Sequence, residues 1–248
     1  MTSTLKINTI EPEGATTNLA IGESGQDVIV TGNDIRANVL QDAGGNAIFT
    51  SDGSGSVSGV NSGLGSAKVL IQTQTPSASS SVEFISNIDS TYNEYVFDFI
   101  NIVGLNTGGG DRLLMDFSDD AGSSWGIAKT TTAFRAYHAQ ADNGNILEYV
   151  PGDDLSQSTS AQRLSAGQTT DPSGGGNMGG RMSLYNPSST TYVKNFIVHT
   201  QFIHNPSDIY SMTAYVGGYI NTTSAVTGVR FAMELGSLTG KIKMYGIK

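Results

Sequence analysis

Apolar and polar residues alternate along several segments of the later part of the chain, and this period of two is the strongest limit on its fold. Leu113, Met115 and Phe117 fall on one face of an extended segment and Asp116 on the other, and residues 229–235 repeat the pattern. Such alternation is typical of antiparallel strands that are buried on one side. No apolar stripe with a period of 3.6 residues runs for three helical turns, so the sequence predicts an all-β protein.

The predicted strands are spread over residues 67–248. Strands rich in aromatic and β-branched residues are predicted at 68–75, 95–103, 112–118, 192–203, 210–220, 226–235 and 241–247, and weaker ones at 82–85, 131–137, 146–150 and 182–185. Because antiparallel strands of this number suit a two-sheet fold with long connections, residues 67–248 are predicted to form a jelly-roll-like β-sandwich.

Residues 1–66 have a different sequence pattern, in which short apolar segments are separated by turn residues. Pieces this short bury too little apolar surface to fold alone. We therefore predict a shaft or anchor segment whose core is shared between chains; the alternative is a disordered arm, and residues 51–59 resemble a flexible linker rich in Gly and Ser. The short segments centre on Leu5 and Ile7, Leu19 and Ile21, and Val28 and Val30.

The connection at 151–180 is almost devoid of apolar residues. A loop of that length in a compact domain is usually functional or disordered. We predict that it forms an exposed tip, and no role is assigned to it.

Composition excludes several classes of function. The chain has 13 Lys and Arg against 22 Asp and Glu, a net charge of −9, and no cysteine. Bases this sparse do not favour nucleic-acid binding, and the lack of thiols removes disulfides, thiolate metal sites and cysteine nucleophiles. No apolar run is long enough to span a membrane and the first residues lack a secretory pattern, so no membrane insertion and no signal peptide are predicted.

One turn motif stands out at 118–125, where Ser-Asp-Asp-Ala-Gly-Ser-Ser-Trp resembles the Asp-box of sialidases and other β proteins. Asp120 is expected to cap turn amides, Gly122 to adopt a positive φ, and Trp125 to pack beneath the turn. In those families the box is structural, so the motif predicts a hairpin and no glycosidase activity.

Two glycine motifs match enzyme signatures in amino-acid sequence only. Residues 122–126 fit G-x-S-x-G and residues 174–179 fit G-x-G-x-x-G. A nucleophile elbow or a phosphate loop requires a helix directly after the motif, and none is predicted here. No catalytic residue and no cofactor site is therefore assigned, and the chain is predicted not to be an enzyme.

Metal binding has little support in the sequence, and no metal site is assigned. His199 and His204 are five residues apart and would point to opposite faces of a strand, while His138 is remote from both in sequence. The acidic residues in or near loops could supply oxygen ligands to calcium, but their spacing fits no calcium loop. They are Asp116, Asp119 and Asp120, and Asp153 and Asp154. The sequon at Asn221 matters only in a secretory pathway.

Two regions are similar to virion structural proteins of tailed bacteriophages, particularly those of marine and cyanobacterial phages. The N-terminal part resembles modules at the starts of phage fibre proteins, with Ser-Thr-Leu-Lys-Ile-Asn-Thr-Ile at 3–10, Thr-Asn-Leu-Ala-Ile-Gly at 17–22 and Gln-Asp-Val-Ile-Val at 26–30. The remainder resembles a domain recurrent in such proteins, through residues 68–75, 88–95, 117–125 and the closing Gly-Lys-Ile-Lys-Met-Tyr-Gly-Ile-Lys at 240–248. The resemblance implies a homotrimer with an N-terminal attachment segment and a C-terminal β-sandwich knob.

The expectation is therefore a non-enzymatic virion protein, made in the host cytoplasm and located on the tail or capsid surface. The first hypothesis is a trimeric tail fibre or fibre-like protein, joined to other virion proteins through residues 1–66, whose sandwich contacts a host surface glycan through polar loops and exposed aromatic residues. The alternatives are a capsid decoration protein and, third, a carbohydrate-binding module or glycan hydrolase. Receptor-binding residues are not assigned.

Overall fold

The computed structural model of the protein describes residues 39–41, 46–51, 54, 57–60, 67–106, 111–165, 176–204 and 209–248. Every regular element among these residues is a β-strand, which confirms the all-β prediction. In the described part, no helix is long and apolar enough to cross a membrane. The chain divides into two compact units, Met1–Gly65 and Ser66–Lys248.

The first unit contains a small antiparallel sheet of three short strands, β1 (Val39–Gln41), β2 (Ala47–Ser51) and β3 (Val57–Val60). The prediction of a flexible linker is wrong for residues 57–59, because they pair with β2, with Phe49 opposite Val60 and Thr50 opposite Gly59. The segments predicted around Ile7, Ile21 and Ile29 lie outside the described residues. The shaft or anchor role of residues 1–66 stays a prediction.

The second unit is a sandwich of two antiparallel sheets of unequal width. Its strands are β4 (Lys68–Gln74), β5 (Ser81–Phe84), β6 (Glu94–Gly104), β7 (Leu113–Ser118), β8 (Lys129–Ala139), β9 (Asn145–Tyr149), β10 (Gln162–Arg163), β11 (Met178–Tyr185), β12 (Lys194–His204), β13 (Tyr210–Ile220), β14 (Gly228–Met233) and β15 (Leu238–Ile247). One sheet has eight strands in the order β4-β15-β6-β11-β12-β13-β8-β9, and the other has four in the order β10-β7-β14-β5.

The strand order is that of a jelly roll with additions. When β4, β15 and the β12–β13 pair are left out, eight strands remain. Numbered 1 to 8 in chain order, these strands lie in the order 1-8-3-6 in the narrow sheet and 2-7-4-5 in the wide one. This interleaving of first and last strands is the double Greek key of a jelly roll. The fold class predicted from the sequence is therefore confirmed, and the extra strands are what make one sheet twice as wide as the other.

The core lies between the sheets and is built by the alternation seen in the sequence. Along β12, Phe196, Val198 and Phe202 are buried while the residues between them on the opposite face are exposed. The centre of the core is a group of phenylalanine rings in edge-to-face contact, with centroids 5.1 to 6.2 Å apart, a favourable arrangement for aromatic rings. The four are Phe84, Phe97, Phe99 and Phe231.

In its described residues, 151–165 and 176–180, the polar connection packs against the sandwich and does not form the exposed tip that its composition predicts. Residues 162–163 form β10, which pairs with β7 at the edge of the narrow sheet, and Met178 opens β11. Gln162 is fully buried: its amide donates to the carbonyls of Asp153 and Arg163, and its Oε1 accepts from the hydroxyl of Thr131 at 2.6 Å. Hydrogen bonds thus allow a polar segment to be buried, which a prediction from hydrophobicity alone does not anticipate. Residues 166–175 lie outside the described ranges.

The turn that follows β7 has the predicted contacts but a different role. Asp120 accepts hydrogen bonds from the amide and hydroxyl of Ser124 at 2.8 and 2.6 Å, and Gly122 has a φ of 86°. The ring of Trp125 lies 4.6 Å beneath the guanidinium of Arg230. The predicted hairpin is wrong, since β7 and β8 belong to different sheets and the turn carries the chain from one to the other.

Candidate functional site

The outer face of the eight-stranded sheet, turned away from the core, carries a continuous row of large side chains. Strand register places Asp98, Arg181, His199, Tyr215, Phe134 and Tyr149 directly opposite one another on six successive strands, from β6 to β9. We call these six residues the outer row. With strands about 4.8 Å apart, the row measures roughly 19 Å from Arg181 to Tyr149.

Three neighbouring rings of the outer row are stacked face to face. The His199 and Tyr215 rings are 4.3 Å apart and 6° from parallel, and the Tyr215 and Phe134 rings are 4.9 Å apart and 11° from parallel. Rings this close and this parallel must overlap by their faces, so their edges point to solvent. The exposed fractions of Phe134 and Tyr215 are 42% and 37%, high for aromatic residues in the middle of a sheet.

A hydrogen bond fixes the orientation of the imidazole ring at His199. The hydroxyl of Thr213 donates to the carbonyl of Thr200 at 3.2 Å, so it accepts from Nε2 of His199, 2.8 Å away. The ring is therefore held in its stacked position by a partner on the neighbouring strand.

The outer row ends in a cluster of charges. Asp98 accepts a hydrogen bond from Nε of Arg181 at 2.7 Å and from Nζ of Lys68 at 2.5 Å, and Lys68 also lies 3.9 Å from the ring centre of Tyr245. Partial burial raises the pKa of Asp98, but the two cationic donors outweigh it and the net shift is downward. Lys243 pairs with Asp98 from β15, so a further cation lies beside the row.

Small residues lie beside the outer row and leave shallow depressions next to it. Gly217 and Thr132 are opposite each other on β13 and β8, two residues along from Tyr215 and Phe134. One depression, of about 500 Å³, lies beside Arg181, and the other, of about 470 Å³, lies at Gly217. Ile197 lines both of them. The face therefore combines a projecting row with recesses, which is a shape that suits an extended ligand.

The histidines predicted to point apart do so. His199 is on the outer face, whereas His204 follows the register of the inner face and its ring lies 6.0 Å from that of Tyr210. His138 is on β8, where it faces Asp142 of the following turn at 3.2 Å.

The acidic residues considered as metal ligands have other partners. Asp116 is paired with Lys129, Asp153 with Arg163, and Asp154 accepts from the amide of Ala133. Asp120 belongs to the turn described above, and Asp119 is exposed beside it. Within the described ranges, no three His, Cys, Asp or Glu side chains are grouped closely enough to hold a metal ion.

The enzyme-like glycine motifs lack the structural context that their chemistry requires. Ser124 of the G-x-S-x-G match donates its hydroxyl to Asp120, and the strand β8 follows it. In the G-x-G-x-x-G match, residues 174–175 are outside the described ranges, and Met178 and Gly179 begin a strand, not a helix. At the sequon, the Asn221 side chain donates to Gln157.

Comparisons with known proteins found no matching family model, no matching curated protein and no matching solved structure. The outer row is therefore assigned from its own geometry.

The sequence contains a partial signal for this site. The connection between β12 and β13 is short enough to suggest a hairpin, in which His199 and Tyr215 are symmetric about residue 207 and hence opposite each other. Phe134 lies about 80 residues before Tyr215, and its place beside that ring depends on sheet order, which alternation alone does not determine.

Proposed function

We propose that the chain is a non-enzymatic structural protein of a tailed bacteriophage particle, a trimeric tail fibre or fibre-like protein. It attaches to other virion proteins through residues 1–66 and presents the outer face of its sandwich to a glycan of the host surface. The observation that carries the glycan-binding part is the outer row, in which ordered aromatic and charged side chains are exposed along roughly 19 Å of a rigid sheet.

The support for a glycan comes from the chemistry of that face. Binding sites for polar ligands need a few fixed hydrogen-bonding groups on apolar surface. The guanidinium of Arg181, held by Asp98, and the hydroxyl oxygen of Tyr149, held by Asp154, offer such groups beside Phe134 and Tyr215. Because strands carry all of them, little ordering entropy opposes binding. The support for a virion protein is the resemblance of the N-terminal modules and of residues 68–125 to phage fibre proteins.

The location in the particle is tested by imaging virions labelled with an antibody against residues 66–248. We expect label at the tail. Label at the threefold positions of the capsid would instead favour the decoration protein, and no label on the particle would refute the virion assignment.

Glycan binding is tested separately, with the full-length protein on host cells. Tyr215→Ala is expected to reduce cell binding, because it interrupts the stack, whereas Tyr192→Ala, which removes an exposed tyrosine outside the outer row, is the matched control. Equal binding by both variants would contradict the assignment of this face. Release of reducing sugar from host polysaccharide would contradict the non-enzymatic part.

A further inference from the structure

Cations gather at one end of the outer row of a protein that is strongly acidic as a whole. The net charge is −9, yet the four cations Lys68, Arg181, Lys241 and Lys243 share one part of the outer face with the carboxylates of Asp98 and Glu94. We call these four cations the basic patch. Strand pairing places Lys243 opposite Asp98 and Lys241 opposite Ile100, so both lysines belong to the outer face. The four positive charges of the patch thus outnumber these two carboxylates.

Much of this positive charge is available to a ligand. Neither Lys241 nor Lys243 has an ion-pair or hydrogen-bond partner among the residues that the structure describes. Among those residues, the Arg181 side chain donates a hydrogen bond only to Asp98, from its Nε, and it is 59% exposed. The terminal nitrogens of the guanidinium are the part that binds carboxylates in fixed geometry.

The aromatic part of the outer row also favours a negatively charged ligand. An aromatic ring is negative on its faces and positive along its edge. Tyr215 is covered on both faces, by His199 and Phe134, and each of those two rings is covered on one face, so the stack turns ring edges to solvent. A neutral sugar that binds by stacking on a ring face finds neither face of Tyr215 free, whereas carboxylate and hydroxyl oxygens match the exposed ring edges.

We infer that the outer row and the basic patch bind an acidic polysaccharide, a polymer of uronic-acid sugars at the host surface, with its carboxylates against Arg181, Lys241 and Lys243. The inference rests on the proposed function and specifies its ligand. It follows from charge complementarity between an excess of cations on one face and a polyanion, in a molecule whose remaining charge would repel that polyanion.

The experiment measures binding of oligogalacturonate to the full-length protein by isothermal titration calorimetry, with its methyl ester as the neutral counterpart of the same sugar backbone. We expect the ester to bind at least about tenfold more weakly, since hydrogen bonds to charged groups are replaced by neutral ones. Equal affinity for the acid and the ester would overturn the inference.

Variants locate the site. Arg181→Gln and Lys243→Gln are each expected to weaken binding of oligogalacturonate several-fold, whereas Arg135→Gln, which removes the same charge from the other face of the sheet, is the matched control. Circular dichroism of each variant checks its fold. Equal losses in Arg181→Gln and Arg135→Gln would overturn the assignment, because only net charge would then matter.

Two further outcomes distinguish uronic-acid binding from general polyanion binding and from self-association. Dextran sulfate binding as tightly as oligogalacturonate would overturn the preference for uronic acids and indicate a general polyanion surface. A change of molar mass by light scattering in Arg181→Gln or Lys243→Gln would also overturn it, since the face would then be a contact between copies of the chain. Binding to host cells that depends on Tyr215 but not on Arg181 would leave the proposed function standing and refute the acidic ligand alone.

Discussion

At the scale of single residues, a buried ion pair joins the two sheets. Nζ of Lys129 is 3.1 Å from Asp116 Oδ1 and 3.0 Å from the carbonyl of Ile127, and its side chain has no exposed surface. Burial lowers the pKa of Lys129 by disfavouring its charged form, and Asp116 offsets part of that shift. Because β8 supplies the lysine and β7 the carboxylate, the pair couples the wide sheet to the narrow one.

We expect Lys129→Met to destabilise the protein by about 3 kcal/mol or more, since it leaves the buried Asp116 with the amide of Phe117 and, as its remaining cation, the more distant Arg230. Chemical denaturation measures the loss. Arg135→Met is the control, because it removes a partly exposed partner of Glu148 and should cost less than about 1 kcal/mol. Similar losses in the two variants would show that burial of the Lys129 pair has little effect.

A glycine of β15 makes room for an aromatic ring. A Cβ built at Gly246 would lie 2.3 Å from the ring of Tyr92, which packs edge-on against Tyr95. Gly246→Ala is therefore expected to reduce the free energy of unfolding by about 1 to 3 kcal/mol, through overpacking. Gly217→Ala is the matched strand control, since nothing lies within 4 Å of its added Cβ. A thermal melt with no loss for Gly246→Ala would contradict the packing of Tyr92.

At the scale of elements, the turn between β7 and β8 depends on one carboxylate. Hydrogen bonds from Ser118 and Ser124 lower the pKa of Asp120 to about 2. Since this value is below the ordinary 3.8, the folded state binds the proton less tightly than the unfolded one. The stabilisation is present in full above pH about 4 and is lost as the pH falls from there toward about 2.

Asp120→Asn should accordingly lower the melting temperature at pH about 6, and its difference from the wild type should shrink as the pH approaches about 2. Melts monitored by circular dichroism across this range provide the measurement. Asp119→Asn, which removes the same charge from the exposed neighbouring carboxylate, is the matched control. A difference for Asp120→Asn that is constant with pH would exclude the titration of this group as its cause.

Elements built on alternation can be predicted from sequence, and those held by polar contacts cannot. Strands such as β12 and β13 have long period-two patterns that mark both position and buried face. β10 has only Gln162 and Arg163, and its burial depends on hydrogen bonds to residues distant in sequence. The contacts of the Asp-box are local and follow from the motif. Which sheet each of its flanking strands, β7 and β8, belongs to depends on partners that are distant in sequence.

At the scale of the whole molecule, residues 66–248 form a compact unit by themselves. A fragment of residues 66–248 is expected to keep its fold, because its core is built from its own two sheets. Near-ultraviolet circular dichroism and a cooperative melt test this. If the chain is the proposed trimer and its N-terminal segment holds that trimer together, light scattering should show a trimer for the full chain and a monomer for the fragment. A fragment without a cooperative melt would refute the independence of the sandwich.

The wide sheet also has a consequence for how fast the protein folds. β4 pairs with β15 at one edge of that sheet, and β5 pairs with β14 in the other, so partners from opposite ends of the sandwich sequence must meet. Chains dominated by such distant pairings fold slowly, in milliseconds to seconds, because loop closure precedes the contacts that stabilise it. At a given stability, a slow folding rate is accompanied by a slow unfolding rate, because the ratio of the two rates is fixed by the equilibrium constant. An arrangement of strands that folds slowly therefore keeps the folded state for longer than a fast-folding arrangement of equal stability would.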